Sequence, residues 1–109
     1  MKYNTTRTHI KAVYGEDIYA VGYCGAYHLL RGLEPIYYNA GIYGWNCDYY
    51  LIGSVCICTG YRPHGKNRPE ITSLYEERAK AVYDTERDLT AQAEKLAQIR
   101  KEWIQALRG

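Results

Sequence analysis

Asn46 and Asp48 stand two residues apart in the run Gly41-Ile42-Tyr43-Gly44-Trp45-Asn46-Cys47-Asp48. On an extended strand, residues so spaced project from one face, about 7 Å apart. An amide offers donors and acceptors, and a carboxylate accepts strongly from two hydroxyls or an exocyclic amine. The pair can therefore read a base edge or a ribose; an Asn-x-Asp segment can equally cap a turn. Asp48 is the one formal charge between Ile36 and Tyr61, and Arg62, His64, Lys66 and Arg68 follow at once. Arg62, held between Tyr61 and Pro63, has the planar fork that matches phosphate, and the proline limits how far the loop wanders. Tyr38, Tyr43 and Tyr61 supply rings on which a base can stack, at roughly 1–3 kcal/mol per base. A neutral aromatic surface with one carboxylate and a cationic border suits a nucleotide. The competing reading is a small tyrosine-rich sheet with a solvated basic loop.

A second constellation is the turn Gly22-Tyr23-Cys24-Gly25 ahead of a short helix. Backbone N–H groups at a helix start can cradle an anion, and Tyr23 joins the candidate ligand contacts. The glycine spacing fits neither a P-loop nor a dinucleotide fingerprint. Cys24 and His28, four apart, invite a Cys–His nucleophile, yet no third group is in evidence to orient the base. No paired carboxylates at catalytic spacing and no metal triad occur, so no catalytic residue, metal or cofactor is expected. Binding without turnover is the expectation.

Around these residues the composition sets bounds. A chain of 109 residues makes one domain, with a core small enough that oligomerisation is a common remedy. The net charge of +2 is too mild for a nucleic-acid coat or a membrane-surface patch. Residues 1–69 carry seven Lys/Arg against four Asp/Glu, and residues 70–109 seven against eight, so the positive excess lies on the aromatic half. Tyrosine occurs 13 times and phenylalanine never. A packed core alone would not select so completely, whereas binding surfaces and subunit interfaces favour the hydroxyl; drift in composition is the alternative. Cys24, Cys47, Cys56 and Cys58 lack zinc-ribbon or redox spacing and read as small buried hydrophobes in a reducing compartment. No apolar run has signal-peptide or membrane-spanning length, which predicts a soluble, intracellular protein.

The elements that position the candidates follow from turn chemistry and periodicity. Residues 6–14 suit a helical turn or two, and 17–22 a short strand. A brief helix over 26–31 ends at Gly32. Strands are predicted over about 36–43, 45–52 and 54–59, punctuated by Gly44 and Gly53-Ser54. On the middle strand Trp45, Cys47, Tyr49 and Leu51 share one side, while Asn46, Asp48 and Tyr50 share the other, the candidate binding face. Residues 62–69 read as a loop. Ser73-Leu74-Tyr75-Glu76 fits a capping box for a helix to about Tyr83. A second helix runs from about Thr85 or Leu89 to Leu107, with Leu89, Leu96, Ile99, Trp103 and Leu107 at helical spacing. The predicted fold is α+β: a small antiparallel sheet of about four strands, then a C-terminal two-helix hairpin. The ligand-binding part covers about 1–62 and the helical core or oligomerisation part about 70–108.

Val21-Gly22-Tyr23-Cys24, Tyr27-His28-Leu29-Leu30, Gly41 to Asp48 and Thr59-Gly60-Tyr61-Arg62-Pro63 together resemble the first type of Thoeris anti-defence protein, over roughly residues 6–109. These small phage proteins are sponges that sequester the cyclic ADP-ribose isomers made by bacterial TIR enzymes. The resemblance implies a homo-oligomer, a dimer or hexamer with pockets between subunits, acting in the host cytoplasm and holding the signal intact. For some members it also implies cyclic oligonucleotides at a separate site. Carried onto this chain, Asn46 and Asp48 would bind base or ribose groups and Arg62 the pyrophosphate, with Tyr38 the first choice for the stacking ring and Tyr61 the second; Arg7 and Arg31 are further cations without a matching motif. Other readings stay open. They are a protein-binding antagonist of a defence enzyme, anti-CRISPR-like, using the tyrosine face, a small hydrolase or lyase using Cys24 and His28, and, last, an unspecific nucleic-acid binder.

Overall fold

Alternating apolar residues around Gly53-Ser54 build the centre of the molecule, an antiparallel meander. The computed structural model describes residues 10, 12, 15, 17–22, 24–40, 46–61, 63 and 65–109, and for 37–40 and 46 the backbone alone. Strands β2 (Tyr37–Ala40), β3 (Asn46–Ile52) and β4 (Val55–Cys58) pair in sequence order, with Tyr38 opposite Asp48 and Tyr49 opposite Cys58. The β3–β4 turn is tight, Ile52 pairing with Val55 across Gly53, whose φ is +62°.

The first strand departs from expectation. β1 (Ile18–Ala20) does not extend the meander; it lies beyond β4 and parallel to it, with Ile18 opposite Cys56 and Ala20 opposite Cys58. A further strand, β5 (Lys66–Asn67), runs parallel to β1 on its other side, inside what reads as a loop from the sequence. The sheet is therefore mixed where an antiparallel one was expected, in the order β2-β3-β4-β1-β5 with the last strand only two residues long. The chain between β1 and β4 crosses over through a helix and two strands, and such a crossover delivers the return strand parallel. All three residues of β1 are buried, as suits a parallel strand covered on both faces. Gly65 makes the approach of β5 possible. Its φ is +134°, and a Cβ there would stand 2.4 Å from the Ile18 carbonyl oxygen.

Three described helices complete the α+β fold: α1 (Tyr27–Leu30), α2 (Pro69–Thr85) and α3 (Leu89–Arg108). The last two form the expected C-terminal hairpin. Its first helix begins four residues before the capping-box position, because Pro69 occupies the first turn, where its fixed φ suits a helix and its missing N–H costs nothing. Asp88 caps α3, accepting from the Ala91 N–H at 2.8 Å. The buried stripe of α3 is Leu96, Ile99, Trp103, Ile104 and Leu107; Leu89, expected in that stripe, is 76% exposed. Trp103 is fully buried, and its indole N–H donates to the buried Thr72 hydroxyl of α2 at 3.1 Å.

Side chains of the sheet divide by parity. Tyr19, Val21, Val55 and Ile57 pack under α1 and the hairpin, with Tyr50 and Ile52 at the edge of that core. Ile18, Cys47, Tyr49, Cys56 and Cys58 form a second cluster on the opposite face with Ile10. Ile10 and Ala12 are helical, as expected of residues 6–14; the rest of that segment lies outside the described residues.

Candidate functional site

The polar parity of β3 meets the underside of α1. Cys47 and Tyr49 point into the second cluster and are buried, while Asp48 and Tyr50 face the other way and are half-buried. Beside them Thr59 closes the edge, its N–H donating to the Asp48 carbonyl at 2.9 Å. Over this margin stands α1, followed by the turn at Arg31 and Gly32. Four residues of helix cannot cover the sheet margin completely. A recess of about 370 Å³ remains, lined by Asp48, Tyr50 and Thr59 from the sheet and by Tyr27, Leu30 and Arg31 from the helix side. That size falls in the range of small-molecule sites.

The recess combines four chemistries. Asp48 is an acceptor for hydroxyls or an exocyclic amine. Tyr50 offers a phenol hydroxyl that can donate, and burial, then the Asp48 and Glu34 carboxylates, push that phenol above the ordinary value. Tyr27, 61% exposed, offers a ring at the mouth. Arg31 brings a cation whose guanidinium lies 4.1 Å over the Tyr83 ring, a stacking that fixes a long side chain which would otherwise wander.

So short a helix does not hold itself, and α1 has no capping side chain of its own. The hairpin holds it at both ends. Glu76 of α2 accepts the N–H groups of His28 and Leu29, each at 2.9 Å, one on either carboxylate oxygen. At the other end, Arg100 of α3 donates to the Leu29 carbonyl at 2.6 Å and the Arg31 carbonyl at 3.0 Å. Tyr83 donates to that same Arg31 carbonyl at 3.2 Å. The helix start expected to cradle an external anion thus holds an internal one, the Glu76 carboxylate.

Of the residues singled out from sequence, Asp48 lines the recess, with Tyr50 two positions on. Tyr38 pairs with Asp48 and Asn46 with Ala40 in the strand register, and their side chains lie outside the described residues. Tyr23, Tyr43, His64 and Arg62 also lie outside them. Tyr61 is described; it is 75% exposed and does not line the recess. Tyr27 and Thr59 were not among the sequence candidates. For Thr59 the signal is its place just beyond the end of β4, beside Asp48. For Tyr27 no local pattern exists, since its position depends on where the hairpin holds α1.

The His28 Nδ1 makes no hydrogen bond to Cys24. Cys24 is exposed, contrary to its expected burial, whereas Cys47, Cys56 and Cys58 are buried as expected. The His28 Nδ1 is buried without a hydrogen-bond partner, and its ring packs edge-on to Tyr27, 4.9 Å between centroids. Among the described residues no group of three or more His, Cys, Asp or Glu side chains could hold a metal ion, and no helix is long and apolar enough to cross a membrane.

The chain matches no protein-family model, and no curated protein or solved structure is similar to it.

Proposed function

We propose that this protein binds a nucleotide-derived signal in the recess under α1 and withholds it, as a phage anti-defence sponge for cyclic ADP-ribose-type products of TIR enzymes. The observation that carries the reading is the meeting of Asp48, Tyr50, Tyr27 and Arg31 around one recess of ligand size. A nucleotide needs an acceptor for ribose hydroxyls, a ring for the base and a cation for phosphate, and these four residues supply them. The ligand is held without cleavage. Subunits associate so that a partner closes the open side of the recess, and the sponge works in the host cytoplasm. Arg62, Asn46, Tyr38 and Tyr23 remain ligand contacts expected from the sequence, and a separate seat for cyclic oligonucleotides is a further part of the resemblance.

The test is capture and release. Purified protein is mixed with the product of a TIR-domain cyclase, freed of small molecules, denatured by heat, and the released material is identified by mass spectrometry. Intact cyclic ADP-ribose in stoichiometric amount is the expected result, with Asp48→Ala and Arg62→Ala each weakening capture at least about tenfold. One observation favours a second reading, an antagonist that docks on a defence enzyme: Tyr61 is 75% exposed and stands outside the recess, and exposed tyrosines are common anchors of protein interfaces. Release of nothing, together with capture of a defence enzyme that Tyr61→Ala abolishes, would favour that reading.

A further inference from the structure

A second hollow, of about 390 Å³, lies between the β3–β4 turn and the C-terminal half of α3, and it shares no lining residue with the recess under α1. It is open because two positions of its lining are small: Gly53 has no side chain and Ala97 only a methyl. Its apolar lining is Ile52, at the end of β3, with Ala97 and Ile104, about two turns apart on one side of α3. The rest is mostly cationic. Arg100, Lys101 and Arg108 line the hollow, and no Asp or Glu does. These charges are poorly neutralised. Among the described residues Arg100 donates to the Leu29 and Arg31 carbonyls and meets no carboxylate, and the exposed Lys101 makes no ion pair. Arg108 stands 3.9 Å from Asp17, a carboxylate that Lys66 already holds at 3.0 Å. An apolar surface is thus set inside an excess of positive charge.

We propose that this hollow is a site for a free fatty acid of medium chain length, its acyl chain laid on Ile52, Ala97 and Ile104 and its carboxylate held by Lys101 and Arg108. An apolar tail with one anionic head matches both halves of the lining. Length fits too, since the helix advances about 16 Å from Ala97 to Arg108, room for such a chain lying extended. Arg108 is set beforehand as the anchor. Its Nη2 donates to the Ser54 hydroxyl at 2.6 Å, which pins the guanidinium to the turn and leaves its other nitrogens for a carboxylate. A guanidinium fixed before binding loses little freedom when it meets its anion. Lys101 adds an ammonium on a flexible stem that can follow the head. Size speaks against a protein partner, because eight residues line the hollow, against about 20–30 a side in a standard protein interface. The site stands independently of the nucleotide reading of the recess under α1.

Isothermal titration of the full chain with decanoate, below its micellar concentration, tests this, alongside octanoate and decyltrimethylammonium and repeated on Ala97→Trp and Lys101→Glu. Ala97 and Lys101 are both exposed, so the first substitution fills the hollow and the second reverses a charge at its wall without opening the core. The expected result is one decanoate bound per chain, at least about fivefold tighter than octanoate because two further methylenes are buried. The cationic amphiphile should not bind, and each substitution should weaken decanoate at least about tenfold. Absence of decanoate binding overturns the site, as does equal binding of the cationic amphiphile or an affinity that either substitution leaves unchanged. Capture of the chain by phosphatidylglycerol vesicles in place of free decanoate overturns it in favour of a membrane surface.

Discussion

Tyr49 and Tyr50 are neighbours on one strand and live in different solvents. Tyr49 is fully buried among Cys47, Cys56 and Cys58, where burial, reinforced by the surrounding thiols, drives its phenol far above the ordinary range. Tyr50 is half-buried at the margin of the other face, with a carboxylate beside it and open volume in front of it. The first face of β3 is filled by side chains that fit. The second is roofed by a helix too short to fill it, and the unfilled part is the candidate site. Stability should therefore concentrate on the thiol face and recognition on the α1 face.

The widest separation is expected from truncating the two tyrosines. Tyr49→Ala should cost about 3–5 kcal/mol in chemical denaturation, the range for large aromatic truncations in a packed core. Tyr50→Ala should cost less than half of that, and equal losses would break the comparison. Next comes alkaline pH. Burial pushes the Cys56 thiol from 9.0 up to about 11. The folded chain then keeps a proton that the unfolded chain releases, so the stability is full below pH 9.0 and falls as pH rises to about 11. Linkage puts the loss at about 2–3 kcal/mol, to be read from denaturation curves under reducing conditions. Cys56→Ala should make that slope shallower.

Removing the Glu76 carboxylate acts on the other face. Glu76→Ala should lower stability by about 1–2 kcal/mol, the scale of a lost helix cap, and should speed hydrogen exchange at the His28 and Leu29 amides. Protection unchanged at those two amides would show that α1 is held by packing alone. The smallest effect on stability belongs to Asp48→Asn, less than about 1 kcal/mol, although the same change should weaken ligand capture at least about tenfold.

Legibility followed the range of the forces. The β3 alternation, the turn at Gly53-Ser54 and the periodic stripe of α3 are local patterns, and each could be read from neighbouring residues. Asp48 and Tyr50 came with the alternation. The direction of β1 could not, because three buried residues read alike in parallel and antiparallel pairing, and their partner lies 38 positions on, at Ile18 and Cys56. Nor could β5, two polar residues whose pairing depends on Gly65. The same holds for the site: Tyr27 and the role of Glu76 depend on contacts spanning nearly fifty residues, while the Ser73 capping box is a local match that Pro69 overrides.

The double hold on α1 also fixes when the site can come into being. Every residue lining the recess under α1 has left the ribosome once Thr59 has emerged, yet the groups that set its roof in place are Glu76, Tyr83 and Arg100. A nascent chain that ends between them carries the whole lining and no recess. Synthesis itself thus acts as a timer, and a growing chain gains the roofed recess only when the final helix has docked.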